Sequence, residues 1–339
     1  MAAEAGPGHP RHSFHLDQVD APAQAFEDAL MQGRLHHAWL FTGPQGIGKA
    51  SFAYRAARHL LGARHSPASG PLGQTSDDPV SRMVAAQSHP DLMVLERHVE
   101  GAAARKSIPV DEARRLPEFF SKAPALSPYR IAIIDAADDL NVNAANAVLK
   151  TLEEPSGRGV LLLVSHAPGR LLTTIRSRCR RLAFAPWPEA ALAEFARERL
   201  QLDHSHAARL AQMAGGAPGR VLSLAAAQAL ALDDTAAELL SATAGPQRDA
   251  DALRLADRFR GAEGAQTFAL LLERLGERLR IAALGASDGG AADSWASLWE
   301  RTAELPGRVE ALNLDRADAF WSLLAELRAT VRREGPAPC

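Results

Sequence analysis

The run Ile131–Ile134, in RIAIID, is an unbroken apolar stretch that stops on the carboxylate of Asp135, and it limits the fold more than any other segment. Buried parallel strands read as continuous hydrophobic runs, and a strand closing on Asp is where a phosphate-binding ATPase holds its metal. Such a strand asks for a phosphate loop upstream, and Phe41–Ala50, FTGPQGIGKA, supplies it. The loop follows G-x-x-x-x-G-K-[ST] through Gly43, Pro44, Gln45, Gly46, Ile47, Gly48 and Lys49, then departs at Ala50, where the pattern has a hydroxyl. A second group is missing at Ala136, the position after Asp135 where ATPases of this build place the acid that activates water. Loss of the hydroxyl removes a direct Mg²⁺ ligand but leaves the amide cradle and Lys49. Loss of the acid removes the group that positions or deprotonates water, so hydrolysis is expected to fall by orders of magnitude. Asp138 and Asp139 lie past the strand end and are not expected to stand in.

The flanks agree with a nucleotide-binding-like domain. His37–Phe41 predicts a strand running into Gly43, and Lys49–Leu61 predicts a helix on Phe52, Ala53, Ala56 and Leu60. The order strand, glycine loop, helix lets backbone N–H groups face an anion. Pro22–Gln32 reads as a short helix, His89–Leu95 as a strand, and Val110–Lys122 as a helix that Pro117 kinks. Asn141–Glu154 predicts a helix on Ala145, Val148, Leu149 and Leu152, ended by Pro155; Gly159–Ser165 and Arg181–Ala185 predict strands flanking the helix Thr173–Cys179. Strands alternating with helices imply an α/β fold with a parallel sheet covered on both faces. After Pro186 only helices are expected: Pro188–Leu200, His204–Ala214, a turn at Gly215–Arg220, then about five more with a loop at Gly285–Ala292. Three domains follow, 1–186, 187–229 and 230–339. Met1–Pro10 is expected to fray, and Gly62–Pro79 is a long Ser/Pro/Gly-rich loop.

Composition excludes several classes. A net charge of −2 argues against wrapping nucleic acid through bulk positive charge, although Arg176–Arg181 is locally basic. Among 38 basic residues only Lys49, Lys106, Lys122 and Lys150 are lysines, so a lysine directly after Gly48 is informative. Two cysteines, Cys179 and Cys339, exclude a disulfide framework or a Cys-built zinc site and suit a reducing compartment. No 18-residue apolar span and no leader pattern occur, so a soluble cytoplasmic protein with no membrane partner is expected.

The remaining candidates each carry two readings. Asp135 meets a metal through water or caps a buried strand. Ser165 bonds a phosphate or ends its strand. Arg220 reaches a phosphate from the second domain or is a plain helix-start arginine. Arg178, in Ser177-Arg178-Cys179, is a solvated surface residue or an arginine that reaches a neighbouring subunit's γ-phosphate. Cys179 has no local His partner and is not expected to be a nucleophile, and His204 and His206 fall on different helix faces, a poor metal pair.

RIAIIDAADDLNVNAANAVLKTLEEPSGRGVLLLVS followed by TIRSRC, with HAWLFTGPQGIGKA and HPDL, resembles the AAA+ subunits of the bacterial DNA polymerase III clamp loader. The match spans about Leu35 to Arg220. The broken site looks like a member that does not hydrolyse ATP, as distinct from the hydrolysing gamma/tau subunit; a catalytically active gamma/tau-like ATPase is the alternative. The resemblance implies an AAA+ P-loop domain, a small helical lid and an all-helical collar. It also implies gamma/tau and delta subunits as partners in an open ring of five, and through that ring the sliding clamp (beta) and primer-template DNA. Carried over by motif, Arg178 is the arginine finger acting in trans on ATP bound by gamma/tau, Ser165 the first sensor position and Arg220 the second. No cofactor is required, and weak ATP or ADP binding at the degenerate loop stays open. Many family members carry a four-cysteine zinc module before HPDL; Leu61–Pro90 has no cysteine, so zinc is not expected, and the loop is expected to remain as a surface appendage.

Overall fold

The computed structural model describes residues 8–97, 107–155, 157–241, 246–286 and 288–335, without the side chains of 246–248. Most of Met1–Pro10, together with Lys106 and Cys339, lies outside the described residues. The chain divides into two compact units, 1–195 with 214–220 and 196–213 with 221–339.

In the first unit, β1 (Ala38–Thr42), β2 (Leu92–Glu96), β3 (Arg130–Asp135), β4 (Gly159–Ser165) and β5 (Arg180–Ala183) form one parallel sheet in the order β2-β3-β4-β1-β5. The alternation of each strand feeds two cores. Trp39, Phe41, Ile131, Ile133, Leu162 and Val164 face α1 (Asp20–Met31) and α2 (Lys49–Leu60). The intervening Ala38, Leu40, Ala132, Ile134, Leu161 and Leu163 pack with α4 (Val110–Ala113), α5 (Leu116–Ser121), α6 (Val142–Glu153) and α7 (Thr173–Arg178). Burial on both faces is why these strands read as unbroken apolar runs, each large side chain contributing about 1.5–3 kcal/mol.

Helix ends follow local chemistry. Asn141 caps α6, its Oδ1 accepting from the Ala144 N–H at 2.9 Å. The helix expected over Val110–Lys122 is two helices, because Pro117 has no N–H for the carbonyl of Ala113 and instead opens α5. Residues 62–79 are also not the surface appendage expected. Leu72 and Gln74 are buried, and Arg55 of α2 donates to the carbonyl oxygens of Pro71 (3.0 Å) and Phe14 (2.7 Å). Two buried guanidinia, Arg55 and Arg58, thus tie this segment and the N-terminal residues 11–14 to α2 through carbonyl oxygens, Arg58 bonding those of Ser13 and Arg11 and stacking over the Phe14 ring. Burial, with Arg55 alongside, pushes Arg58 down to about 10. The segment leads into α3 (Pro79–Ala85), whose start is written as Asp78-Pro79: the Asp78 carboxylate accepts from Val80 and Ser81 N–H at 2.9 and 3.0 Å.

The second unit is helical. α8 (Glu189–Leu200) and α10 (Pro218–Ala226) each run from one unit's residues into the other's, with α9 (His204–Ala214) between them. α11 (Ala229–Ser241), α12 (Pro246–Asp257), α13 (Gly261–Gly285), α14 (Gly289–Leu312) and α15 (Arg316–Glu334) follow. Among the described residues from Val221 onward six helices therefore occur where about five were expected, since Pro218–Arg220 already begins one. The loop expected at Gly285–Ala292 is shorter, because Asp288 caps α14 by accepting from the Ala291 N–H at 3.1 Å. Phe259, Phe268 and Phe320 meet edge to face at 5.2–5.3 Å in the core. Asp233 of α11 joins Arg209 of α9 (2.9 Å) to Arg278 of α13 (2.8 Å). No helix among the described residues is long and apolar enough to cross a membrane.

Candidate functional site

Register alone brings the sequence candidates together. β1 pairs β4 with Thr42 opposite Ser165, and β2 pairs β3 with Glu96 opposite Asp135, so the phosphate loop, Asp135 and Ser165 share the carboxyl edge of the sheet. That edge, where β1 passes between β4 and β5, is where open α/β sheets take ligands.

The loop turns on Gly43, Gly46 and Gly48, at φ +150°, +78° and +99°. Gly43 is also held by space: a Cβ there would lie 2.5 Å from the Phe184 carbonyl oxygen. Gly43→Ala is expected to destabilise the first unit by about 1–3 kcal/mol, read by thermal unfolding; an unchanged melting temperature would mean that β5 and the loop part freely. Gly46 accepts from the Gly219 N–H at 2.8 Å, which seats the first turn of α10, and with it Arg220, against the loop within the same unit. Ile47 anchors the loop in the core, and Ala50 packs beside it. Lys49 is only 2% exposed. Its ammonium donates to the carbonyl oxygens of Gly43 (2.7 Å) and Pro44 (2.5 Å). Burial lowers its pKa to about 8, against the pull of Asp135 and Asp138. Asp135 is raised to about 6 by burial and by the Glu96 carboxylate, against His9 and Lys49. The residues fit phosphate oxygens, because the first N–H groups of α2 have no intrahelical acceptor. At the metal position they offer a methyl group, Ala50, in place of a hydroxyl, and Ala136 is a buried methyl group beside Asp135.

Ser165 is fully buried and donates to Asp138 at 3.0 Å; the same carboxylate accepts from the His166 and Ala167 N–H groups at 2.7 and 3.0 Å. Asp139 pairs with Arg97 at 3.2 Å. Both acids past the strand end are thus engaged in holding neighbouring elements. Sequence reading missed these partners, and it missed Glu96, whose carboxylate is held by His9 and by Gln87, both at 3.2 Å. Burial would raise Glu96, but these bonds and the charges of His9 and Arg11 outweigh it and hold the acid below its ordinary value. Spacing along the chain carries no sign of such pairs; the strand order does.

Arg178 lies at the opposite edge. β1 is five residues long, about 17 Å, and α7 returns the chain so that Arg178, with only Cys179 between, leads into the start of β5. It is therefore separated from Gly43–Ala50 by roughly the length of a strand. Its side chain is 37% exposed and meets Glu153 at 3.0 Å. In the same basic run Arg180 stacks over Trp39 and Arg181 donates to Thr42 Oγ1 at 2.9 Å, so two of the four arginines serve the sheet. Cys179 is partly buried among apolar side chains, and that burial pushes its thiol up to about 12.

A family profile described as "DNA polymerase III, delta subunit" matches residues 19–188, half of the chain. DNA polymerase III subunit delta' of Pseudomonas aeruginosa is 45% identical over 155 residues, covering 46% of this chain and 44% of that protein. Subunit delta' of Escherichia coli is 30% identical over 194 residues, 57% and 55% of the two chains, and subunit tau of Bacillus subtilis 32% identical over 161, 48% and 27%. The matched stretch spans about half or less of the length of these curated relatives. A solved DNA polymerase III gamma subunit-related protein of Thermotoga maritima, 19% identical, superposes with a TM-score of 0.47 over 93% of this chain and 99% of its own.

Proposed function

The chain belongs to the DNA polymerase III delta-subunit family of clamp-loader subunits, and on that premise we propose that it is a delta-prime-type stator that does not hydrolyse ATP itself. It helps load the sliding clamp onto primed DNA and donates Arg178 to ATP bound by a neighbouring gamma/tau subunit. The division 1–186, 187–229 and 230–339 into AAA+ domain, lid and collar belongs to the same reading.

One observation carries the proposal. Arg178 is exposed on the amino edge of the sheet while the chain's own phosphate loop lies on the carboxyl edge, so this arginine serves no nucleotide held by its own loop. The state of that loop supports the same conclusion. Ala50 and Ala136 remove a metal ligand and the water-activating acid, and Lys49 is turned onto its own loop carbonyls. The gamma/tau-like alternative needs a replacement acid. Glu96 is the carboxylate in register with Asp135, and it is already held by His9 and Gln87.

The test is steady-state ATP hydrolysis by the purified chain, alone and then with gamma/tau and delta partners. No turnover alone and a rise on assembly that depends on Arg178 are the expected results. Turnover by the chain alone that Lys49→Ala abolishes would overturn the reading. In the assembly, Lys49→Ala is expected to change the rate less than about twofold, because an interaction absent from the hydrolysing site contributes nothing to its transition state; a larger drop would make this chain's own loop a working site.

A further inference from the structure

Glu153 ends α6, a helix of 12 residues, about 18 Å, that starts beside the carboxyl edge of the sheet and runs back toward the amino edge. There its Oε1 meets Arg178 Nη2 at 3.0 Å, while Arg178 Nη1 donates to the Thr174 carbonyl of its own helix at 3.2 Å. The second bond fixes the stem of the side chain and the first fixes its head. Glu153 is 51% exposed and Arg178 37%, so the pair is open to solvent and to a neighbouring chain. Two of the guanidinium's five N–H donors are used, and the fork geometry suits phosphate as well as carboxylate.

We propose that Glu153 is the resting partner of Arg178, a positioning residue that holds the guanidinium in place until a γ-phosphate on the adjacent subunit displaces the carboxylate. The proposal rests on the finger role put forward above. A carboxylate carries one negative charge, whereas a terminal phosphate with its neighbours carries more, so the exchange runs toward phosphate when ATP is bound and back when it leaves. The restraint is a toll on ATP binding at the neighbour's site, since the pair breaks once per nucleotide bound and stays broken through the chemical step.

The experiment is ATP hydrolysis by the reconstituted loader carrying Glu153→Gln, with Glu153→Ala as a second variant and thermal unfolding to verify the fold. The expected result is a two- to fivefold drop, about what an exposed ion pair sustains, in the ATP concentration giving half-maximal rate, with kcat unchanged. The shift should shrink as salt rises from about 0.05 to 0.5 M, which a purely structural role of Glu153 would not produce. It should vanish in an Arg178→Ala background. A half-maximal concentration that is unchanged or raised, a fall in kcat, or a shift that persists without Arg178 would overturn the assignment. If Arg178→Ala alone left hydrolysis normal, the finger reading would fall first, whereas an impaired Arg178→Ala with a silent Glu153→Gln would remove only Glu153.

Discussion

Replacing Arg178 with alanine is expected to slow ATP hydrolysis at the adjacent gamma/tau site by about 10³-fold, the lower end of what an arginine finger supplies in phosphoryl transfer. The reasoning is electrostatic. Charge builds on the equatorial oxygens of the transferred phosphoryl group, and a guanidinium placed across a dry interface stabilises it with no reorganisation at the moment of reaction. The same substitution should barely affect the isolated chain. Arg178 contributes one half-exposed ion pair to folding, about 0–1 kcal/mol, so the melting temperature and assembly should stay near wild type. Arg178→Lys keeps the charge but loses the planar fork, and an intermediate rate is expected. Normal hydrolysis by a properly assembled Arg178→Ala complex would remove the finger from the mechanism. A complex that fails to assemble would instead make Arg178 an interface residue, and sedimentation of the mixture separates the two outcomes.

The second large effect concerns stability. Asp91, fully buried ahead of β2, accepts from the Ala125, Leu126 and Ser127 N–H groups at 2.7, 2.8 and 3.1 Å and from Ser127 Oγ at 3.0 Å. Arg130 Nε stands 3.9 Å away. Asp91→Ala leaves this nest of donors without its acceptor and removes the charge facing the nearly buried Arg130, whose guanidinium keeps its bonds to the Pro90 and Ala123 carbonyls, and it should cost about 3 kcal/mol, or roughly 6–12 °C in melting temperature. The pH dependence has a definite sign. Burial alone would raise the Asp91 pKa, but the bonds from Leu126, Ala125 and Ser127 outweigh it and hold the carboxyl below its ordinary 3.8. A depressed carboxyl contributes stability that is present above the unfolded value and lost as pH falls through the folded one. Thermal unfolding of wild type and Asp91→Asn between about pH 2 and 7 should therefore converge below about pH 4. Parallel curves across that range would show that the nest is not what Asp91 contributes.

How much of this could be read beforehand depends on the range of the interaction. The strands around β3 and β4 were legible to within a few residues because burial on both faces forces an unbroken apolar run. The phosphate loop was legible because its glycines are fixed by positive φ and close contact, which no other residue satisfies cheaply. The start of α3 was legible too, in Asp78-Pro79, but it was passed over inside a Ser/Pro/Gly-rich stretch. That stretch also concealed Leu72 and Gln74, which are buried where Arg55 of α2 holds the Pro71 carbonyl, a contact with no local signature.

By itself the sequence determined the defects at Ala50 and Ala136, the α/β class of the sheet-bearing part and the family resemblance, since these depend on residue identity, on periodicities of two and 3.6, and on short motifs. Only the tertiary structure decided where the functional groups face. It commits Ser165 to Asp138, sets Glu96 against Asp135, turns Lys49 onto its own loop, and places Arg178 with Glu153 on the edge of the sheet away from that loop. The Lys49 contact closes within the loop itself, but the other three join strands or helices distant in sequence, fixed by strand order and by the return direction of a helix, and chain spacing carries no record of either.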